Sequence, residues 1–300
     1  MLCYDVMKRT SKATQRVSAP VLRAWLELLR LPNLFTVPGD ILVGWSLGGL
    51  RGGFPVMTVS ASLCLYAAGL LLNDFCDAKT DAKERPERPI PSGRVRRWQV
   101  FLAFLGLSVA GLTLAFHGAL FAVALLSLIV FYNTVAKRLD GLGIWVMGAC
   151  RGMNVLLGTA ASWPLLQMPW PPLAETAALF FTVYIVAVSA VAKHEATPGA
   201  KVRWNMRWLP LGLTLSAAGL FWANGLRPIW PVWAAAGALL PILIGKKKIP
   251  VLVAGLIRHL IPLQLIWCLA VLPKDAVAVP AFLLLCWGGA LISSRKYAGS

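Results

Sequence analysis

Ten apolar segments make up most of the chain, and each approaches the roughly 17–25 residues that an α-helix needs to cross a bilayer. A lipid interior offers no water to unpaired backbone groups, so only helices and closed barrels cross it, and these segments are too long for barrel strands. We therefore predict an all-α, polytopic transmembrane helical bundle of ten spans, with nine spans and a re-entrant segment as the alternative. The predicted segments are 33–50, 55–77, 98–115, 118–136, 142–162, 173–193, 207–224, 229–245, 250–272 and 277–294.

The composition agrees with a membrane protein. Hydrophobic residues make up 58% of the 300 residues and charged residues 14%, whereas soluble domains are about half apolar and about a quarter charged. The net charge of +17 lies in short loops between apolar segments and not on a soluble basic face. We therefore expect the lipid bilayer as the environment of the chain and no nucleic acid as a partner.

The positive charges alternate along the predicted loops. Of the 29 Lys and Arg residues, 24 lie in the two tails and the even-numbered loops, and three lie in the odd-numbered loops. Cytoplasmic loops carry an excess of Lys and Arg. This pattern predicts an integral protein of the cell membrane, most simply a bacterial inner membrane, with both termini in the cytoplasm.

The chain divides into a short tail and one membrane domain. Residues 1–32 are predicted to form a cytoplasmic tail, and residues 33–300 a single transmembrane domain. Within the tail, Leu22, Trp25 and Leu29 recur at helical spacing opposite charged residues. This pattern is typical of an amphipathic helix that lies on the membrane surface.

Three acidic residues follow directly from the second apolar segment. Asp74, Asp77 and Asp81 stand at i, i+3 and i+7, so they share one face of a helix. Like charges on one face repel, and Mg²⁺ relieves the repulsion because it binds carboxylates together with substrate phosphates. We therefore predict that these acids bind Mg²⁺ at the cytoplasmic end of the second span. The alternative is a solvated charged loop that only orients the protein.

Positive charge follows the acids. Arg85, Arg88 and Arg94 lie among three prolines, which restrict the backbone, and guanidinium groups match the geometry of phosphate oxygens. The acids and arginines together predict a clamp for a diphosphate group.

Polar residues also occur inside the predicted spans, where they are costly and are functional candidates by default. Asn33, Thr36 and Asp40 share one face of the first span, and Arg151 and Asn154 share one face of the fifth. One interpretation is a structural ion pair between Asp40 and Arg151. The other is a polar wall of a central cavity that binds the diphosphate or a second substrate.

The acidic and basic motifs together resemble the UbiA superfamily of intramembrane prenyltransferases. The resemblance implies a helical bundle with a lateral opening to lipid, which binds a polyprenyl diphosphate through Mg²⁺. It also implies that the protein ionises the allylic C–O bond and transfers the prenyl group to a small acceptor, often aromatic. The residues that carry the resemblance are Asn73-Asp74-x-x-Asp77-x-x-x-Asp81, Arg88-Pro89-Ile90-Pro91-Ser92-Gly93-Arg94 and Tyr132 with Lys137-Arg138.

Residue roles follow from this resemblance and from the polar residues in the spans. The resemblance implies catalytic roles for Asp74, Asp77, Asp81 and Lys137, with Glu195 as a remaining ligand or as acceptor base. The residues expected to bind substrate are Asn33, Asp40, Asn73, Arg88, Arg94, Tyr132, Arg151 and Asn154.

The chain departs from the family pattern after the sixth segment, where members carry a second acidic motif. Only Glu195 is acidic there, and Lys193 and His194 are candidates to neutralise phosphate charge directly. This departure resembles the EboC-like branch of the superfamily, which occurs in bacterial metabolite-export gene clusters. It leaves a second function open: a non-catalytic membrane component that binds a prenylated or related metabolite and helps to export it.

Overall fold

The structure, a computed structural model, describes residues 21–139, 141–163, 169–193, 204–226, 230–244, 249–273 and 276–296. Every regular element in these ranges is helical, which confirms the predicted all-α fold. The helices are α1 (21–28), α2 (Leu31–Leu34), α3 (Val37–Leu47), α4 (Val56–Glu84), α5 (Arg97–Leu114), α6 (Ala119–Thr134), α7 (Leu142–Ala160), α8 (Pro172–Lys193), α9 (Trp204–Ala223), α10 (Trp230–Ile244), α11 (Ile249–Arg258), α12 (Leu260–Leu269) and α13 (Ala278–Lys296).

Five helical stretches among the described residues are long and apolar enough to cross a membrane. They have 18 to 29 residues, which corresponds to roughly 27–44 Å at 1.5 Å per residue and matches a hydrocarbon core of about 30 Å. Shorter apolar helices accompany them at 208–223, 231–244 and 278–294. The chain is an integral membrane protein, and the number of ten spans stays a prediction. The five stretches are Val56–Glu84, Arg97–Leu114, Phe116–Arg138, Pro172–Lys193 and Ile249–Leu269.

The first predicted span is divided in the structure. Helix α2 ends at Leu34, and α3 begins at Val37 with Pro38 in its first turn, a position that proline tolerates well. Residues 37–46 of α3 are all buried, because α4, α7, α8 and α12 surround this helix. Helix α3 therefore lies buried at the centre of the bundle.

Small residues allow α3 and α7 to lie close together. A Cβ added at Gly44 would overlap the backbone carbonyl of Val155, and one added at Gly158 would overlap the backbone of Ile41. Helices in a membrane often pack through such close backbone contacts. Lipid tails are as apolar as the side chains, so burying an apolar side chain away from lipid stabilises the bundle little.

Two apolar clusters fill the bundle on either side of this contact. The N-terminal cluster joins α1 with α3–α7, and the C-terminal cluster joins α3 and α7 with α8–α13. Helices α5 and α6 expose large apolar side chains such as Val109 and Leu120. In a membrane protein, such a surface is suited to contact with lipid tails.

Helix α4 continues seven residues beyond the predicted span end at residue 77 and carries all three motif acids. It ends at Glu84 because Pro86 disfavours a helical backbone at Arg85. The following loop folds back on itself through a hydrogen bond from the Val95 amide to the Pro89 carbonyl at 3.1 Å. Residues 21–28 are helical, and the assignment of this segment to an amphipathic helix on the membrane surface stays a prediction.

Candidate active site

The acids of α4 lie against basic side chains from other parts of the chain. Asp74 Oδ1 is 3.3 Å from Arg30 Nη2 and 3.4 Å from Arg88 Nη1. The same Arg88 nitrogen is 2.9 Å from Asp81 Oδ2. Arg88 therefore bridges two carboxylates two helical turns apart and fixes the loop after α4 over the acidic face.

The third acid pairs with a residue far along the chain. Lys137 Nζ is 2.6 Å from Asp77 Oδ1. Lys137 lies in the short 3₁₀ turn Ala136–Arg138, which follows α6 and carries the lysine toward the end of α4. Lys137 therefore lies beside the acidic motif, and its role toward a diphosphate stays a prediction.

Arg94 has a different position from Arg88. Its guanidinium lies 2.8 Å from Glu27 Oε2 and donates to the Glu87 carbonyl at 2.7 Å. The described contacts of Arg94 therefore tie α1 to the loop after α4, and they do not place it against Asp74, Asp77 or Asp81. Its predicted role in substrate binding is not tested by these contacts.

The donor set is compatible with a magnesium-phosphate group. Among the described residues, no three His, Cys, Asp or Glu side chains are arranged to hold a metal ion by themselves. Mg²⁺ seldom needs such a cage, because one or two carboxylates and substrate phosphates supply its oxygens. Each carboxylate of the acidic face also has more acceptor capacity than its present partners use. Asp77 is the most accessible of the three, with 34% of its side chain exposed.

Two other predicted residues lie beside this cluster in sequence and are half-buried. Asn73 precedes Asp74 on α4, and Tyr132 lies near the end of α6, five residues before Lys137. Glu195 and His194 lie outside the described residues. Lys193, the last residue of α8, is exposed.

A second polar cluster lies deeper in the bundle. Arg151 Nε is 2.7 Å from Asp40 Oδ2, and the Asn154 amide donates to the same oxygen at 2.9 Å. Ser62 Oγ donates to Asn154 Oδ1 at 2.7 Å and brings α4 into the cluster. The ion pair that the sequence offered as one alternative is therefore present. The predicted role of Asp40, Arg151 and Asn154 in substrate binding stays a prediction.

The two clusters are well separated along α4. Ser62 precedes Asp74 by 12 residues, which corresponds to about 18 Å of helix at 1.5 Å per residue. We call the deeper cluster of Thr36, Asp40, Ser62, Arg151, Asn154 and Gln264 the polar layer, and the cluster of Asp74, Asp77 and Asp81 with their basic partners the acidic face.

Sequence reasoning missed two residues of these clusters. Arg30, which contacts Asp74, shows no signal in the sequence beyond its positive charge in the tail. Gln264, a lone amide in the predicted ninth span, donates to Asp40 Oδ1 at 2.7 Å and to the Thr36 carbonyl at 2.8 Å. The available signal for Gln264 was its polarity within an apolar segment, because polar side chains inside a membrane seek one another.

Two relatives of the chain are synthases of the same name. The digeranylgeranylglyceryl phosphate synthase of Methanothrix thermoacetophila is 28% identical over 275 residues, which cover 86% of each chain. The synthase of the same name from Ignicoccus hospitalis is 36% identical over 152 residues, which cover 47% of this chain and 48% of the relative.

Solved structures have the same fold. A structure described as digeranylgeranylglyceryl phosphate synthase in membranes has a TM-score of 0.55 at 17% identity, covering 91% of this chain and 99% of that one. A UbiA homologue from Archaeoglobus fulgidus bound to DMAPP and Mg²⁺ has a TM-score of 0.52 at 13% identity, covering 89% and 98%.

The sequence profile of the UbiA prenyltransferase family matches residues 34–298. The match includes α4 with its three acids, the loop that carries Arg88, the turn of Lys137 and the polar layer. The chain belongs to the UbiA prenyltransferase family, as its motif predicts.

Proposed function

We propose that this protein is a Mg²⁺-dependent intramembrane prenyltransferase that moves a prenyl group from a polyprenyl diphosphate to a small acceptor. The observation that carries the proposal is the acidic face, where Asp74 and Asp81 share Arg88 and Asp77 pairs with Lys137. Interleaved carboxylates and cations suit a ligand that is itself a metal cation joined to a polyanion.

In this proposal the three carboxylates would hold Mg²⁺, and the ion would supply positive charge that offsets the negative charge of the diphosphate. Arg30, Arg88 and Lys137 exchange their carboxylate partners in part for phosphate oxygens. When the allylic C–O bond breaks, its electron pair leaves with the diphosphate, and these cations stabilise the negative charge that develops there. The acceptor then forms a bond to the allylic carbon, and its proton passes to a base, for which Glu195 is the candidate that the sequence offers.

The membrane location follows from the substrate. A long isoprenoid tail dissolves in lipid, while its diphosphate stays near the interface where the acids of α4 lie. The apolar interior excludes water, which strengthens the electrostatic interactions and protects the carbocation from hydrolysis. We place the acidic face and both termini on the cytoplasmic side of a bacterial cell membrane, since 24 of 29 Lys and Arg residues fall in the tails and even-numbered loops.

The acceptor belongs to one of two chemical classes. The family resemblance favours an aromatic acceptor, whereas the name of the synthases from Methanothrix and Ignicoccus points to a glyceryl phosphate lipid. Both classes offer a nucleophile that an allylic cation alkylates, so both belong in the test of function.

Purified protein in lipid nanodiscs is expected to release pyrophosphate from labelled geranylgeranyl diphosphate when Mg²⁺ and an acceptor of the right class are present. The label should appear in a product with the acceptor. EDTA should abolish both signals, because without Mg²⁺ the negative charge on the leaving diphosphate is not compensated and the allylic C–O bond stays intact. Mass spectrometry and a pyrophosphate assay measure the outcome.

The same assay separates this function from the alternative of a non-catalytic export component. Tight, Mg²⁺-dependent retention of the diphosphate without release over long incubation, with aromatic and glyceryl phosphate acceptors alike, would contradict the prenyltransferase proposal and favour the binding component.

A further inference from the structure

Arg30 has an unusual backbone conformation. Its φ and ψ angles are 44° and 56°, in the left-handed region. Among the described residues, Leu50 is the one other non-glycine residue with positive φ. A side chain in this region is costly and persists only where the surrounding structure enforces it. Because the Arg30 guanidinium contacts Asp74, the structure that enforces this backbone also positions a cation of the acidic face.

Short-range hydrogen bonds connect Arg30 to Thr36. The Asn33 amide donates to the Arg30 carbonyl at 2.8 Å. The Thr36 amide and hydroxyl both donate to the Asn33 carbonyl, at 3.0 and 2.8 Å. Helix α2 and the residues that flank it, Arg30 and Thr36, therefore form one hydrogen-bonded unit, which ends at Thr36.

Two helices that are distant in sequence bind Thr36. The Thr36 carbonyl accepts from Arg151 Nη2 of α7 at 2.6 Å and from Gln264 Nε2 of α12 at 2.8 Å. Thr36 and Gln264 are fully buried, so water does not replace these donors. The carbonyl is thus fixed from two directions.

The orientation of Gln264 is itself determined by its surroundings. Its terminal nitrogen faces two acceptors, the Thr36 carbonyl and Asp40 Oδ1. An amide oxygen in that place would face two other oxygens, so the nitrogen must point there. A Cβ at position 39 would overlap the Gln264 side-chain oxygen, and Gly39 therefore leaves the space that the amide occupies.

We propose that Gln264 is a positioning residue for the transfer site, which acts through the Thr36–Asn33–Arg30 unit to hold the Arg30 guanidinium against Asp74. This inference rests on the proposed function, since it gives Arg30 a place among the cations that face the diphosphate. It assigns a catalytic consequence to a side chain on α12, in the C-terminal half of the chain and outside the acidic and arginine motifs.

The test is a double-mutant cycle between Gln264→Met and Arg30→Met. Methionine keeps the volume of glutamine and removes its hydrogen bonds. Gln264→Met is expected to weaken Mg²⁺-dependent binding of inorganic pyrophosphate about tenfold and to raise KM for geranylgeranyl diphosphate similarly, since it frees a hydrogen-bonded cation. In the Arg30→Met background the same change is expected to have less than about a twofold effect, because residues in one network are not additive.

Three further variants separate positioning from general destabilisation. The cycle of Gln264→Met with Lys137→Met should be additive, because Lys137 reaches the acidic face from α6 and not through Thr36. Gly39→Ala should displace the amide and reproduce the Arg30-dependent loss even if Gln264→Met fails to fold. Gly106→Ala, on α5 with open space around its Cβ position, should leave pyrophosphate binding unchanged.

The results distinguish this inference from the proposed function. If the wild-type protein binds no pyrophosphate with Mg²⁺, the proposed function itself is wrong. If the wild type binds and both Gln264→Met and Gly39→Ala are additive with Arg30→Met, or leave binding unchanged, the positioning role is wrong and the proposed function stands.

Discussion

Asp77→Ala is expected to lower kcat/KM for prenyl transfer at least about a hundredfold, the size of effect typical of losing one electrostatic element of a transition-state site. Asp77 is the middle one of the three aspartates on the acidic face and the most accessible of them. Its carboxylate lies 2.6 Å from Lys137 Nζ. Its loss removes a predicted Mg²⁺ ligand and leaves the lysine without its carboxylate partner. Initial rates of pyrophosphate release in nanodiscs, at saturating Mg²⁺, measure this effect.

A matched control variant tests whether the loss of activity in Asp77→Ala comes from unfolding of the protein. A partly exposed ion pair contributes only about 0–1 kcal/mol to stability, so the folded fraction should be close to that of the wild type. Glu84 is an exposed acid in the last turn of the same helix, and Glu84→Ala should keep nearly full activity. Wild-type rates for Asp77→Ala, or an equal loss for Glu84→Ala, would remove Asp77 from the site.

Arg151→Met is expected to destabilise the fold by about 3–5 kcal/mol, the usual result of leaving one member of a buried ion pair without its partner. Asp40 has no exposed surface, and Arg151 Nε lies 2.7 Å from its carboxylate. Without the guanidinium, the charge of Asp40 keeps only the amide donors of Asn154 and Gln264. Denaturant unfolding in mixed micelles measures the change in the free energy of unfolding.

The double variant Asp40→Leu/Arg151→Met separates the charge from the packing. It should recover about half of the lost stability, because no buried charge is then left unpaired, although the amides of Asn154 and Gln264 lose an acceptor. Arg258→Met is the control. Arg258 also lies in an apolar segment, but it donates a hydrogen bond to Ser294 from a partly exposed position. Its substitution should lower the free energy of unfolding by less than about 1 kcal/mol. A double variant less stable than Arg151→Met would contradict this account.

The two clusters of the bundle have different expected roles. The polar layer is buried and joins α3, α4, α7 and α12, so its variants should act first on stability. The acidic face is partly accessible, and its variants should act first on catalysis. Gln264 is the expected exception in the polar layer, because its proposed action on Arg30 should make its variants weaken pyrophosphate binding at the acidic face as well.

Features set by local sequence were predictable. The spacing of Asp74, Asp77 and Asp81 places them on one face of any helix, and α4 has the helical backbone that this requires. The pairing of Asp40 with Arg151 was also foreseeable as an alternative, since a charge inside a membrane domain needs a partner. Pro86 marked the end of α4, although the predicted span stopped at residue 77.

Features set by contacts between distant segments were not predictable from one sequence. Nothing in the spacing of Arg94 indicates that it turns to Glu27, or that Arg30 instead approaches Asp74. The Thr36 carbonyl, between α2 and α3, accepts from donors on α7 and α12, which lie far along the chain. Hydrophobicity reports only that these residues are buried, and not which helices meet.

Isothermal titration calorimetry with inorganic pyrophosphate tests the central claim most directly, since it needs neither the prenyl chain nor the acceptor. The protein should bind pyrophosphate with Mg²⁺ and not with EDTA, and Asp74→Asn/Asp81→Asn should abolish the heat while leaving the fold intact. Binding that is equal with and without Mg²⁺, or unchanged in the double variant, would contradict the assignment of the acidic face as a magnesium-diphosphate site.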